Sequence, residues 1–424
     1  MIIGISPEYN YPGQFAKWVL DDTFYASNFG ASFITRSLMK EFSADYISDF
    51  RKVESLKAEY DTVILGFATH AHAKRDIWRY VKFIEKLDMK TVVISMGVED
   101  YLGEISQSYK FHPSVKRLLE ISSASTEWIG VRGHYTASIM QQNGFRNTVP
   151  IGCPSMYSNL RPEITFRSKN IYTNPLLVYH KTFAKINSKL MKSLPLLGQD
   201  FQDEVIFTKN IDNDTHLKQQ ESNFYHNIPA SKEIMDAILT NGKFPDNYDD
   251  WYDTISSHDF ILGPRLHGCL AALTQGIPAI LTPRDLRIKE IVEFFNLPNI
   301  PYNDLHDCTI EDVYDRANFD NFRDTYRDKY KNFLSFIAEN KMESKLESVE
   351  DISYAYSTRD VQSISYINNI QLAAIKEKID NYSRLRRKLL ISKILSWGKN
   401  TIKIFIGKRT VYNIKKLLKK VKTN

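Results

Sequence analysis

The chain has 424 residues, 43% hydrophobic and 25% charged, the balance of an ordinary globular protein with room for about two to four domains. That composition excludes a collagen, a disulfide scaffold and a mostly disordered polymer. The net charge of +6 is uneven: residues 384–424 hold fourteen Lys or Arg and no acid, which leaves residues 1–383 at −8 and argues against a nucleic-acid-binding body.

The N-terminus reads directly as a strand, Ile2–Ile5, without the basic segment of a secretory signal. No apolar run approaches the roughly 20 residues needed to span a bilayer. Cys153, Cys269 and Cys308 lie far apart and form no CxxC pair, which fits a reducing cytosol. Asn28-Phe29-Gly30 opens a helical stretch that runs to Phe42. Val63–Phe67 is a second strand. Ile77, Tyr80, Val81, Ile84 and Leu87 share one stripe of a helix. Thr91–Ser95 is a third strand, ending in Met96-Gly97-Val98. Alternation of this kind predicts a parallel sheet flanked by helices. Trp128-Ile129-Gly130-Val131-Arg132-Gly133 then leads into a helix over His134–Asn143, with Gly144 at its C-cap. Strand Thr148–Ile151 precedes Gly152-Cys153-Pro154-Ser155, and a domain boundary is expected just after this.

In the second half, Leu176–Val178 and Val205–Thr208 read as strands and 209–228 as polar loop. Lys232–Leu239 and Tyr248–Ser256 read as helices. The clearest unit follows: strand Phe260–Leu262, turn Gly263-Pro264-Arg265-Leu266-His267-Gly268, helix Cys269–Thr274, cap Gly276 and strand Ala279–Leu281. The loop from Thr282 to Arg287 then leads into helix Lys289–Phe295. Residues 310–340 read as polar helices and 341–383 as a helical extension. The expected organisation is an N-terminal lobe over 1–155, a second lobe over 156–310, the extension over 311–383 and a basic tail over 384–424.

In that tail, Ile414, Leu417, Leu418 and Val421 share one helical face, and Lys415, Lys416, Lys419, Lys420 and Lys422 take the other. Leu390, Ile394 and Trp397 make a similar stripe. An amphipathic helix of this type lies on anionic membranes, each cation contributing about 1 kcal/mol. A solvated tail or a helix packed on the acidic body is the alternative. A membrane-bound tail would place the protein at the cytoplasmic face of the plasma membrane as a peripheral protein.

From Trp251 to Pro301 the sequence resembles the polysaccharide pyruvyl transferase family. The matching residues are W-x3-I-x3-D-F-I-L-G-P-R-L-H-G-C-L-A-A-L-T-Q-G-I-P-A-I, then D-L-R-x2-E, then L-P-N-I-P. Ile129-Gly130-Val131-Arg132-Gly133, Ile151-Gly152-Cys153-Pro154-Ser155 and Asp61-x-Val63-Ile64-Leu65-Gly66 support the match. Asn28-Phe29-Gly30 is present too, although Ala31 stands where an acidic residue is often found. The resemblance implies two Rossmann-like lobes in a GT-B-like arrangement. It also implies transfer of a pyruvyl group from phosphoenolpyruvate to two hydroxyls of a lipid-linked or polymeric glycan, forming a ketal. It implies no cofactor beyond phosphoenolpyruvate as co-substrate. By the same resemblance, Arg265 and His267 belong to the donor site, Arg132 is their counterpart from the other lobe, and Arg284 is a further basic residue.

The residues themselves support an anion site. Phosphoenolpyruvate carries a carboxylate and a phosphate of about −2 charge. Arg265 and His267 stand between the C-terminal end of a strand and the N-terminus of a helix, where α/β sheets bind ligands. Gly263 and Gly268 let backbone approach a ligand closely. Arg grips carboxylate or phosphate with paired hydrogen bonds. Ketal formation also needs proton transfer near neutrality, which points to His267 as general acid/base, with Arg265 and Arg132 on the donor's anionic ends. Arg287 is either a further donor contact or an i, i+3 surface partner of Glu290.

Other candidates carry less. Trp251 and Asp253 read as packing and capping residues. His70-Ala71-His72 has metal-ligand spacing but no neighbouring carboxylate or Cys, leaving a loop or a substrate contact. Cys153 has no base near it in sequence and reads as packing. Tyr9, Asn10 and Tyr11 read as surface loop or a sugar contact. No Walker loop or GxGxxG is present. Two rival functions stay open: a glycosyltransferase using a nucleotide sugar, and a non-catalytic glycan- or membrane-binding protein.

Overall fold

The computed structural model describes residues 1–4, 6–7, 28–99, 109–167, 173–180, 183, 187–200, 203–204, 207, 232–316 and 319–350. The chain divides into two units, 1–366 and 367–424, and every described residue belongs to the first. The expected basic tail at 384–424 and the loop with Tyr9, Asn10 and Tyr11 lie outside the described residues.

The first lobe is built on short parallel strands. Strands β1 (Ile2–Gly4), β2 (Thr62–Gly66) and β3 (Lys90–Val93) pair in that order, with Ile64 between Ile2 and Val92. Strands β4 (Ile129–Val131) and β5 (Thr148–Pro150) pair beside them, joined by a bridge from Met96 to Val131. Nearly every strand residue is buried, as parallel strands covered on both faces require. Helix α1 (Phe29–Phe42) begins where the Asn28 side chain accepts from Ala31 N–H, and it buries Phe29, Phe33, Ile34 and Leu38. Helices α2 (Val53–Glu59), α3 (Trp78–Leu87), α4 (Pro113–Ser125) and α5 (His134–Gln142) complete the lobe. The predicted helix at Ile77 starts one residue later. Gly144, with φ at +96°, follows its helix in the left-handed conformation that favours glycine.

The second lobe has the doubly wound strand order. Its strands are β6 (Pro175–Val178), β7 (Leu196–Leu197), β8 (Gly242–Lys243), β9 (Phe260–Gly263) and β10 (Ala279–Leu281). They lie in the order β10-β9-β6-β7-β8, all parallel, so the chain reverses direction across the sheet between β6 and β9. A ligand site is expected at the carboxyl ends of those two strands. The intervening helices are α6 (Ser188–Ser193), α7 (Lys232–Asn241), α8 (Tyr248–Ser256), α9 (Leu266–Thr274) and α10 (Leu286–Phe295). The second strand is Leu196–Leu197. Of the strand expected at Val205–Thr208 only Phe207 is described, and it is helical.

Two features join the lobes. Phe29 on α1 stacks on Trp251 of α8 at 6.1 Å, and Phe33 packs on Tyr252 at 5.9 Å. After α11 (Ile310–Asp315), the 21-residue helix α12 (Phe319–Glu339) reaches the first lobe again. Its polar composition hides a buried stripe of Phe322, Tyr326, Tyr330, Phe333 and Ile337. Phe333 stacks on Tyr157 at 4.4 Å, and Asn332 Nδ2 donates to Pro150 O at 2.8 Å. Lys90 Nζ donates to Asn340 O and Lys341 O. The helical extension expected from 341 does not begin there. Residues 341–350 are irregular, held by Lys345 N–H to Glu41 O and Glu347 N–H to Leu160 O. With two Rossmann-like lobes and a helix crossing back, the arrangement is GT-B-like.

Candidate active site

The turn after β9 is shaped by its neighbours. Gly263 has φ at +150°, and a Cβ there would meet Val178 O at 2.5 Å. A Cβ on Gly268 would meet Val178 Cγ1 at 2.7 Å, so this glycine lets α9 lie close on β6. Arg265 is the N-cap of α9 and supplies no side-chain cap. Its helix end keeps the positive pole that attracts anions, worth about 0.3–1 kcal/mol at exposed sites.

Arg265 does not present a free guanidinium. Nε donates to Tyr179 O at 2.8 Å, Nη1 to Asp200 Oδ2 at 2.6 Å and Nη2 to Asp203 Oδ2 at 2.6 Å. Burial pushes the Asp203 carboxyl up, opposed by Arg265, while the two aspartates raise Arg265 against its own burial. Its geometry is that of a brace which pins the turn after β9 to the segment after β7.

His267 stands one step further on and is largely enclosed. Its Nε2 lies 3.8 Å from Cys153 Sγ, across the junction from the first lobe. Burial, and then the charge of Arg132, lower its pKa to about 3, so the imidazole is neutral at pH 7. An imidazole therefore lies beside Cys153 in space, although His267 is 114 residues away in sequence. Burial raises the Cys153 thiol, so it stays protonated. Gly30 makes the contact between lobes possible, because a Cβ there would strike His267 Cβ and Gln199 Nε2, each at 2.6 Å. Asn28 Oδ1 accepts from that same Gln199 Nε2 at 3.1 Å.

Arg132 follows β4 and is 4% exposed. Gly97 makes room for it, since a Cβ there would meet Arg132 Cδ at 2.6 Å. Its guanidinium has one hydrogen bond, a long one of 3.4 Å from Nε to Ser95 O, and no ion pair with any described carboxylate. Burial lowers its pKa, offset by Cys153, Glu290 and Asp285. An uncompensated buried cation is costly and marks a place for an anion.

The D-L-R-x2-E run, Asp285 to Glu290, lies beside these residues. Asp285 caps α10 at Ile288 N–H and pairs with Arg287 at 2.9 Å and Arg284 at 3.5 Å. Glu290 does not pair with Arg287. It crosses to the first lobe and accepts from Thr136 N–H at 2.6 Å and Thr136 Oγ1 at 2.9 Å, capping α5. Gly133 is the space it enters, because a Cβ there would meet Glu290 Cγ at 2.5 Å. Burial pushes the Glu290 carboxyl up to about 7.

The structure thus brings Arg132, His267 and Arg287 around one junction, with Arg284 beside them. His72 is spent locally, its Nδ1 accepting from Lys74 N–H at 3.1 Å. No group of three His, Cys, Asp or Glu among the described residues has metal-site geometry. A separate groove of about 610 Å³, lined by Asn159, Arg161, Glu163, Arg327 and Glu347, contains none of the predicted site residues.

The fold is a two-lobed α/β architecture in which a buried cation from the first lobe lies near a neutral imidazole at the strand-order reversal of the second. The particular family follows from its sequence: the model of the polysaccharide pyruvyl transferases matches residues 13–285, and the chain belongs to that family. Membership implies polysaccharide pyruvyltransferase activity. No curated protein matches the chain. Among solved structures it is similar to the UDP-GlcNAc 2-epimerase of Methanocaldococcus jannaschii in complex with UDP-GlcNAc and UDP, at 12% identity and a TM-score of 0.34, covering 79% of this chain and 98% of that one. It is also similar to the Neisseria meningitidis UDP-GlcNAc 2-epimerase bound to UDP-GlcNAc, at 8% identity and a TM-score of 0.29, covering 79% and 85%. No described helix is long and apolar enough to cross a membrane.

Proposed function

We propose that this protein transfers the pyruvyl group of phosphoenolpyruvate to two hydroxyls of one sugar in a surface-glycan precursor, forming a cyclic ketal. The observation that carries the reading is the buried, unpaired guanidinium of Arg132 facing the same junction as His267. Arg132 holds an anionic end of the donor, and the uncapped N-terminus of α9 holds another. Arg284 and Arg287, shared through Asp285, add positive potential at the rim. Arg265 acts through the turn it braces.

His267 starts neutral and so acts first as a base. It takes the proton of the first attacking hydroxyl. The imidazolium so formed is a strong acid beside Arg132, and it delivers that proton to C3 of the donor as C2 becomes electrophilic. Phosphate leaves when the second hydroxyl bonds to C2. Full-length protein should release phosphate from phosphoenolpyruvate in the presence of hexosides with free 4- and 6-hydroxyls. His267→Gln should slow this roughly 10²–10⁴-fold. Release by His267→Gln at the wild-type rate, in a folded protein, contradicts the assignment.

The tail at 384–424 extends the reading to an anionic membrane surface, supported by its fourteen cations without an acid. Full-length protein should sediment with vesicles containing phosphatidylglycerol, and protein ending at 383 should not. Equal sedimentation of the two removes this part of the proposal.

A further inference from the structure

Closing a ketal releases two hydroxyl protons at two different oxygens, and the account above gives a protein acceptor for only one. His70 is an imidazole with a polar atom that no described group pairs. It lies in the loop that leaves the carboxyl end of β2. Its ring stacks on Phe67 at 4.7 Å and 25°. Its Nδ1 is enclosed and has no hydrogen-bond partner. A buried polar atom left unpaired is costly, and such atoms mark sites that a ligand completes.

The loop that holds His70 is fixed on both sides. Ala71 bridges to Val98, and Ala71 N–H donates to Gly97 O at 3.2 Å. Ala73 N–H donates to Tyr109 Oη at 2.8 Å, and His72 O accepts from His112 N–H at 3.1 Å. Gly97 is the residue against which the Arg132 side chain packs, so His70 and Arg132 line the same edge of the sheet. Burial, and then the charges of Arg75 and Arg132, lower the His70 pKa to about 3. Arg75 is itself paired with Glu99 at 2.7 Å. A neutral imidazole on a rigid loop carries no charge with which to bind an anion, and at so low a pKa it takes a proton only in passing and hands it on to a stronger base such as phosphate.

We propose that His70 is the second proton acceptor, taking the proton of the hydroxyl that closes the ketal ring. The inference rests on the pyruvyl-transfer reading. In the first step the first hydroxyl oxygen bonds to C2 and its proton reaches C3 through His267. The result is a tetrahedral carbon that still carries phosphate. In the second step the other hydroxyl oxygen bonds to C2 and the bond from C2 to the phosphate oxygen breaks. The departing proton goes to Nδ1 of His70 and then to the released phosphate, which leaves as the hydrogen phosphate dianion.

The two steps can be read separately. Wild-type, His70→Gln and His267→Gln proteins are incubated in D2O with phosphoenolpyruvate and p-nitrophenyl hexosides bearing free 4- and 6-hydroxyls. Deuterium at C3 of the recovered donor reports the first step, and phosphate release reports the second. His70→Gln should keep hexoside-dependent deuterium exchange while losing phosphate release by a hundredfold or more. His267→Gln should lose both. Phosphate release by His70→Gln within threefold of wild type overturns the inference, as does joint loss of exchange and release. A wild-type protein that neither exchanges nor releases phosphate with any of these hexosides overturns the pyruvyl-transfer reading instead, and this inference with it.

Discussion

Two arginines separated by 133 positions illustrate how partners, not residue type, set a role. Arg265 has every arm of its guanidinium engaged by Tyr179, Asp200 and Asp203, whereas Arg132 has one long hydrogen bond and no described counter-ion. Sequence motifs gave both the same expected task, because neither Asp200 nor Asp203 stands near Arg265 in the chain. Glu41 is the converse case, a buried carboxyl whose two oxygens lack hydrogen-bond partners. Burial holds its pKa well above the carboxylate range. The folded protein therefore keeps its proton at pH values where the unfolded chain, titrating near 4.3, has lost it. Since the unfolded state binds fewer protons in that window, stability contributed at Glu41 falls as pH rises above about 4.3. Glu41→Met should stabilise the protein, and the gain should grow by up to about 1.4 kcal/mol per pH unit from pH 5 towards the folded pKa. Denaturant titrations of both proteins at several pH values check this, and a gain that shrinks with pH is the contrary outcome.

At the scale of elements, segments with strong local signals were legible. Helix α8 over Tyr248–Ser256 and strand β10 over Ala279–Leu281 fall where the apolar spacing puts them. Asn28, which opens the helical stretch in sequence, is the N-cap of α1. The misses have a physical cause in tertiary context. Leu196–Leu197 is too short to show a period, and only pairing between β6 and β8 makes it a strand. Helix α4 begins with Pro113 at its first turn, a usable start signal. Gly30, Gly133 and Gly268 admit His267, Glu290 and Val178, contacts that no local window reveals. The Glu290 cap on α5 is likewise invisible in sequence, because donor and acceptor are 154 residues apart.

On the scale of the whole molecule, the site exists only because two lobes meet. His267 comes from one and Cys153, Arg132 and His70 from the other, and the Asn28–Gln199, Phe29–Trp251 and Thr136–Glu290 contacts hold the lobes in register. Strand alternation was enough to predict two such lobes, while the side of the junction that carries an unpaired cation was visible only in three dimensions. The central claim is that Arg132 waits for an anionic donor. Calorimetric titration of phosphoenolpyruvate into full-length wild-type and Arg132→Met proteins tests it most directly. The account predicts saturable binding to wild type and an affinity lower by roughly 10–100-fold in Arg132→Met, the loss of a charged hydrogen bond worth about 1.5–3 kcal/mol. Equal affinity in the two proteins, or no binding to wild type, contradicts it.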